Sequence, residues 1–98
     1  MGNIEKKIGK PALLEQLAEE CSELAKAALK QARIIRGENP TPVTEQEAYN
    51  DVIEEYTDVI QCGIELDLSI DHTQLVYKEK RWHNRIKNSI LEGVRNDK

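Results

Sequence analysis

The sequence predicts an all-α protein: an antiparallel bundle of three main helices, completed by association with further copies of the chain. Three observations carry this. The 39% hydrophobic content holds no Phe and only 4% aromatic residues, so any core is built from Leu, Ile, Val and Ala, a set weighted towards helix formers. The apolar residues recur at three- and four-residue steps. No segment alternates with a two-residue period, and no Asn-Gly or Asp-Gly hairpin turn occurs. Finally, the 98 residues make a single domain that buries only about 60–65% of its unfolded surface, a marginal core that a partner would relieve.

The elements follow in order. Residues 1–10 form a polar lead-in, and Pro11 suits the first turn of a helix that runs uninterrupted by Gly or Pro over 11–36. Its apolar stripe is Leu14, Leu17, Cys21, Leu24, Ala28 and Ile35. Gly37 fits a C-terminal cap, residues 37–43 a connecting loop, and Thr44 with Glu47 a capping box. The second helix covers 44–66 with Val52, Tyr56, Val59, Ile60 and Gly63 on one face. A helical Gly costs about 1 kcal/mol against Ala, so Gly63 predicts a close helix crossing. "DLSID" makes the next break, with Ser69 or Asp71 as N-cap. A third helix over 71–94 then presents Leu75, Trp82, Ile86, Ile90 and Val94.

Composition narrows the function. Fourteen basic against eighteen acidic residues, net −4, argue against a nucleic-acid polymer as partner, since a basic patch is its usual footprint. No apolar run approaches the roughly 20 residues of a membrane span, and nothing resembles a secretory signal, so a soluble, cytoplasmic protein is expected. Cys21 and Cys62 lie within apolar runs and read as buried small hydrophobes. His72 and His83 show no metal-ligand spacing and read as surface or capping residues. Trp82 and Tyr56, on apolar stripes, read as core or interface residues rather than base-stacking ones.

The acids are the informative feature. At about 100° per residue, Glu20 falls at the edge of the first helix's apolar arc and Glu23 one turn on, with Glu19 further round. In the second helix Glu55 and Asp58 border the face of Val52, Tyr56 and Val59. With 33% charged residues, such pairs are often simply solvated faces. If the two edges meet, however, four carboxylates share a cleft whose mutual repulsion a divalent cation relieves, and oxygen ligands suit Mg²⁺ or Mn²⁺. Lys80, Asn84 and Lys87, at i, i+4 and i+7 of the third helix, share an edge able to donate to phosphate oxygens.

This constellation resembles the MazG-like all-α nucleoside triphosphate pyrophosphohydrolases, whose Glu-Glu-x-x-Glu is matched by Glu19, Glu20 and Glu23 and whose Glu-x-x-Asp by Glu55 and Asp58. The family's Lys-x-x-x-Asn followed by a basic residue is matched by Lys80, Asn84 and Lys87. The resemblance runs from about Leu13 to Lys87, with 31 residues between Glu23 and Glu55, a longer gap than the family's usual one. It implies that Glu20, Glu23, Glu55 and Asp58 ligate Mg²⁺, with Mn²⁺ as a substitute, and that Glu19 orients or deprotonates the attacking water. Lys80, Asn84 and Lys87 would contact the triphosphate. The implied reaction converts a (deoxy)nucleoside triphosphate to its monophosphate and pyrophosphate, in a homo-oligomer that is a dimer or tetramer. Two alternatives share these residues: a phosphoribosyl-ATP pyrophosphohydrolase, and a non-catalytic helical interaction module.

Overall fold

Helix ends in this chain are fixed by local hydrogen-bonding chemistry, and four helices result. A computed structural model describes residues 3–38 and 42–96, with side chains through residue 93. The helices are α1 (Asn3–Ile8), α2 (Lys10–Arg36), α3 (Glu45–Glu65) and α4 (His72–Asn96), with no strand among the described residues. Part of the polar lead-in is therefore helical, an element the sequence did not signal. Six residues are too few to show a period, and α1 is held by packing on α2 and α3.

Between α1 and α2, Gly9 takes φ 89°, a left-handed conformation that suits glycine. Its amide donates to the Glu5 carbonyl at 2.7 Å, and its own carbonyl accepts from Leu13 at 3.2 Å, closing one helix and opening the next. At the far end of α2, Gly37 at φ 70° lets its amide reach the Ile34 carbonyl and that of Glu38 reach Arg33, the paired bonds of a Schellman ending. Of the predicted 37–43 loop, residues 39–41 lie outside the described residues. The Thr44 cap forms as expected: its Oγ1 accepts from the Glu47 amide at 3.1 Å and donates to Glu47 Oε1 at 3.2 Å. α3 ends as α2 does, with Asp67 at φ 57° in glycine's place and the Leu68 and Asp67 amides on the Gly63 and Ile64 carbonyls. Asp71, not Ser69, caps α4, its two carboxylate oxygens accepting from the Gln74 backbone at 3.0 Å and side chain at 2.9 Å.

α2 turns back through the loop as α3, and the two pack along a seam with coiled-coil spacing. On α2 the covered row is Leu13, Leu17, Glu20, Leu24, Ala27 and Ile34; on α3 it is Ala48, Val52, Glu55, Val59, Cys62 and Leu66. Steps of three and four keep each row facing its partner. Leu13, Ala48, Cys62 and Leu66 are the buried residues. The predicted stripes are displaced: Leu14, Cys21 and Ile35 on α2, and Tyr56 and Ile60 on α3, are exposed. Both helices carry more apolar positions than one seam uses, and the seam takes the row containing the acids. Cys62 is accordingly buried as expected, whereas Cys21 is not. A Cβ on Gly63 would meet nothing within 4 Å, so the close crossing expected there is absent from the chain.

α4 touches none of the other helices. Trp82 is 69% exposed, and Leu75, Ile86 and Ile90 are exposed with it; Val94, expected on the same face, lies outside the described side chains. The radius of gyration, 18.4 Å, exceeds the roughly 13 Å of a compact 98-residue domain. The bundle within one chain is thus α1, α2 and α3, with α4 projecting from it. No helix among the described residues is long and apolar enough to cross a membrane.

Candidate metal centre

The seam itself places the acids. Because the covered rows advance by three and four residues, Glu20 falls on the row of α2 and Glu55 on that of α3, both half-buried, and Asp58 stands one turn beyond Glu55 at the exposed margin. Glu20 and Glu55 therefore sit within the packing face, not at its edge as the helical wheel placed them. One carboxylate oxygen from each of Glu20, Glu55 and Asp58 lies within 4.8 Å of the other two. Gln16, one turn before Glu20, donates from Nε2 to Glu20 Oε1 at 2.7 Å and holds that carboxylate in place. Nothing but its i, i+4 spacing to Glu20 marked Gln16 in the sequence.

The electrostatics are those of crowded like charges. Desolvation in the seam pushes the Glu55 carboxyl above its ordinary value, and the charges of Asp58, Glu54, Glu20 and Glu23 add to the shift. Beneath them burial raises the Cys62 thiol, with Glu20, Asp58 and Cys21 contributing in that order. A thiol kept protonated is a poor metal ligand. Among the described residues no Lys or Arg ion-pairs with the three clustered acids. Glu23 is near enough to act on Glu55, yet its Oε1 is turned to Lys26 Nζ at 3.4 Å, on the exposed side of α2. Glu19 is exposed and outside the cluster.

Carboxylate oxygens of one sign, within 4.8 Å of one another and without a cationic partner among the described residues, form a donor set that fits a hard divalent cation and not a soft one. Lys80, Asn84 and Lys87 lie along one edge of α4, all exposed. Since α4 touches neither α2 nor α3, the chain alone does not bring them to the acids. His83 faces Glu79 on the same helix at 3.7 Å, an ion pair when the imidazole is protonated. Tyr56 and Trp82 are both exposed, so neither is a core residue of the single chain.

The other side of the seam carries a feature the sequence did not signal. An apolar groove of about 460 Å³ runs between α2 and α3 and is bordered by the segment leading to α4, with Leu17, Cys21, Ile60, Gly63, Ile64 and Ile70 among its walls. The hairpin is thus acidic on one side and apolar on the other. No family model, curated protein or solved structure matches this chain.

Proposed function

We propose that this chain is a Mg²⁺-dependent nucleoside triphosphate pyrophosphohydrolase that acts as a homo-oligomer. The observation that carries the reading is the convergence of Glu20, Glu55 and Asp58 oxygens within 4.8 Å across a helix seam. The seam holds Glu20 and Glu55 together against their own repulsion, and Asp58 joins them from its exposed margin.

Glu20, Glu55 and Asp58 would hold the cation, with Glu23 joining them, and Mn²⁺ would substitute. A bound divalent ion supplies charge neutralisation at phosphate oxygens and lowers the pKa of a bound water. The chain's own groups account for the rest. Gln16 donates to Glu20 Oε1 and would orient that carboxylate. Glu19, one residue before a ligand and exposed, would orient or deprotonate the attacking water. Lys80, Asn84 and Lys87 present two ammonium groups and an amide as donors for a triphosphate. An acidic protein thereby meets a polyanionic substrate through a cation and one basic helix edge.

The test is pyrophosphate release over a panel of ribo- and deoxynucleoside triphosphates and phosphoribosyl-ATP, with Mg²⁺ or Mn²⁺. Asp58→Asn is expected to lower the rate by about 100-fold or more, the scale of losing one electrostatic stabiliser in an active site, with helical content by circular dichroism unchanged. Wild-type turnover by that variant, or no release from any substrate, overturns the reading. Mg²⁺ should also raise the melting temperature of the wild-type chain as the site fills; a non-catalytic interface of charge pairs would show no such rise.

A further inference from the structure

The α2–α3 hairpin has a second apolar surface that its own packing leaves open. About 100° round from the seam, both helices carry a further apolar row. Because they run antiparallel, equal rotations in the same sense bring the two rows to one side of the hairpin. Leu14 and Ile35 of α2 lie there with Tyr49, Ile53 and Ile60 of α3, all exposed. The groove lined by Gly63 lies on this side, and a Cβ there would meet open space. α4 carries the matching element: Leu75, Trp82, Ile86 and Ile90 fall within an arc of about 80° and are equally exposed.

Area decides that these surfaces are covered. The chain exposes 8133 Å², whereas a compact monomer of 11.2 kDa exposes about 5,700 Å². The excess of roughly 2,400 Å² is about three times what each partner of a standard interface buries. Charge decides what covers them. α4 holds six basic and two acidic residues, net +4, while the rest of the chain holds eight basic and sixteen acidic, net −8. A basic apolar helix and an acidic apolar hairpin complement each other, and an anionic lipid surface would be repelled by the hairpin. Folding back onto the same hairpin is opposed by the hydrogen-bonded turn at Asp67 and Leu68 and by the Asp71 cap, which fix the chain's exit from α3 and its entry into α4.

We propose that α4 of one copy seats its apolar arc on the open α2–α3 face of a second copy, and reciprocally, giving a dimer with exchanged α4 helices. The proposal needs no metal and rests on the homo-oligomer part of the reading above, for which it names the interface; the catalytic part is tested separately by pyrophosphate release. The full chain, metal-free, should sediment as a dimer of about 22 kDa, twice 11.2 kDa. Ile60→Asp on the hairpin face and Ile86→Asp on α4 should each raise the dissociation constant by about 30-fold or more, the scale of losing one hot-spot side chain. Mixing the two variants is the decisive arm. The mixed dimer keeps one intact α4-on-hairpin contact, so dimer should reappear on mixing, which two misfolded chains would not do. A monomer at about 100 μM wild-type protein, a dimer weakened by only one of the two variants, or no recovery on mixing would overturn the proposal. So would a wild-type monomer that binds phosphatidylserine vesicles, since α4 would then face lipid.

Discussion

α3 and α4 are similar in length and both amphipathic, α4 the more strongly so, yet α3 buries Ala48 and Cys62 while α4 buries nothing among its described side chains. Amphipathic period specifies a face; it does not say where the complementary face is. α3 finds its partner one loop away, on a helix that the 37–44 connection returns to. α4 is separated from the same hairpin by only the residues 66–71, but those residues are hydrogen-bonded into a turn that leads away from it.

The largest effect that separates the two regions is core truncation. Leu66, at 6% exposure, closes the α2–α3 seam, and Leu66→Ala should cost about 2–3 kcal/mol in urea unfolding, at low and high protein concentration alike. Ile86→Ala should cost nothing measurable in dilute protein and appear only as concentration rises, because in the isolated chain its side chain has no neighbouring helix to lose. An equal, concentration-independent loss at Ile86 would show that α4 packs within its own chain.

The seam also explains what was legible in the sequence. Helix ends were, because caps are local: Gly37, the Thr44 and Glu47 pair and Asp71 each act within four residues of themselves. Glu20, Glu55 and Asp58 were legible as candidates because i, i+3 acid pairs border the apolar stripes of two successive helices, and they converge because the hairpin closes on the rows that hold Glu20 and Glu55. The facing row was not. Leu17 and Leu24 were on the predicted stripe and lie in the seam, but Leu14 and Ile35 are as apolar as their neighbours Leu13 and Ile34, and only tertiary packing chooses between rows about 100° apart. For the same reason the wheel put Glu20 and Glu55 at a margin when they stand in the seam. The position of Lys80, Asn84 and Lys87 relative to the acids was beyond reach, since it depends on where α4 docks and not on any spacing along it.

Gly63 gives a smaller and sharper test of the same contrast. In the isolated hairpin an added methyl meets open space, so Gly63→Ala should stabilise α3 by about 1 kcal/mol through helix propensity alone. If a second copy's α4 fills the groove, the same methyl intrudes on that contact and the dimer should weaken as the hairpin strengthens. Thermal melts at two concentrations separate these. A gain of equal size at both concentrations means that nothing seats over Gly63.

The smallest effect is in pH, where the two regions respond with opposite sign. Glu55 in the seam has its carboxyl raised above the ordinary 4.5 by desolvation and by neighbouring acids. The folded chain therefore holds that proton more tightly than the unfolded chain does. Its contribution is fully present below 4.5 and is lost as pH rises through the elevated value. Asp71 at the start of α4 is lowered below its ordinary 3.8, first by the Gln74 backbone amide and then by the Gln74 side chain. Its contribution is present above 3.8 and is lost as pH falls through the depressed value. In metal-free protein with a chelator present, a tryptophan signal from Trp82 on α4 should thus report loss of order on acidification below about pH 4. Over the window just above 4.5, resistance of the α2–α3 seam to urea should fall as pH rises. Glu55→Gln removes the second dependence and leaves the first, because Gln keeps the shape but not the charge. Mg²⁺ should act in the same direction as Glu55→Gln, since a cation between the acids favours the charged form that the bare seam disfavours. Seam stability that rises with pH in the metal-free wild type would mean that the three carboxylates already have a cationic partner.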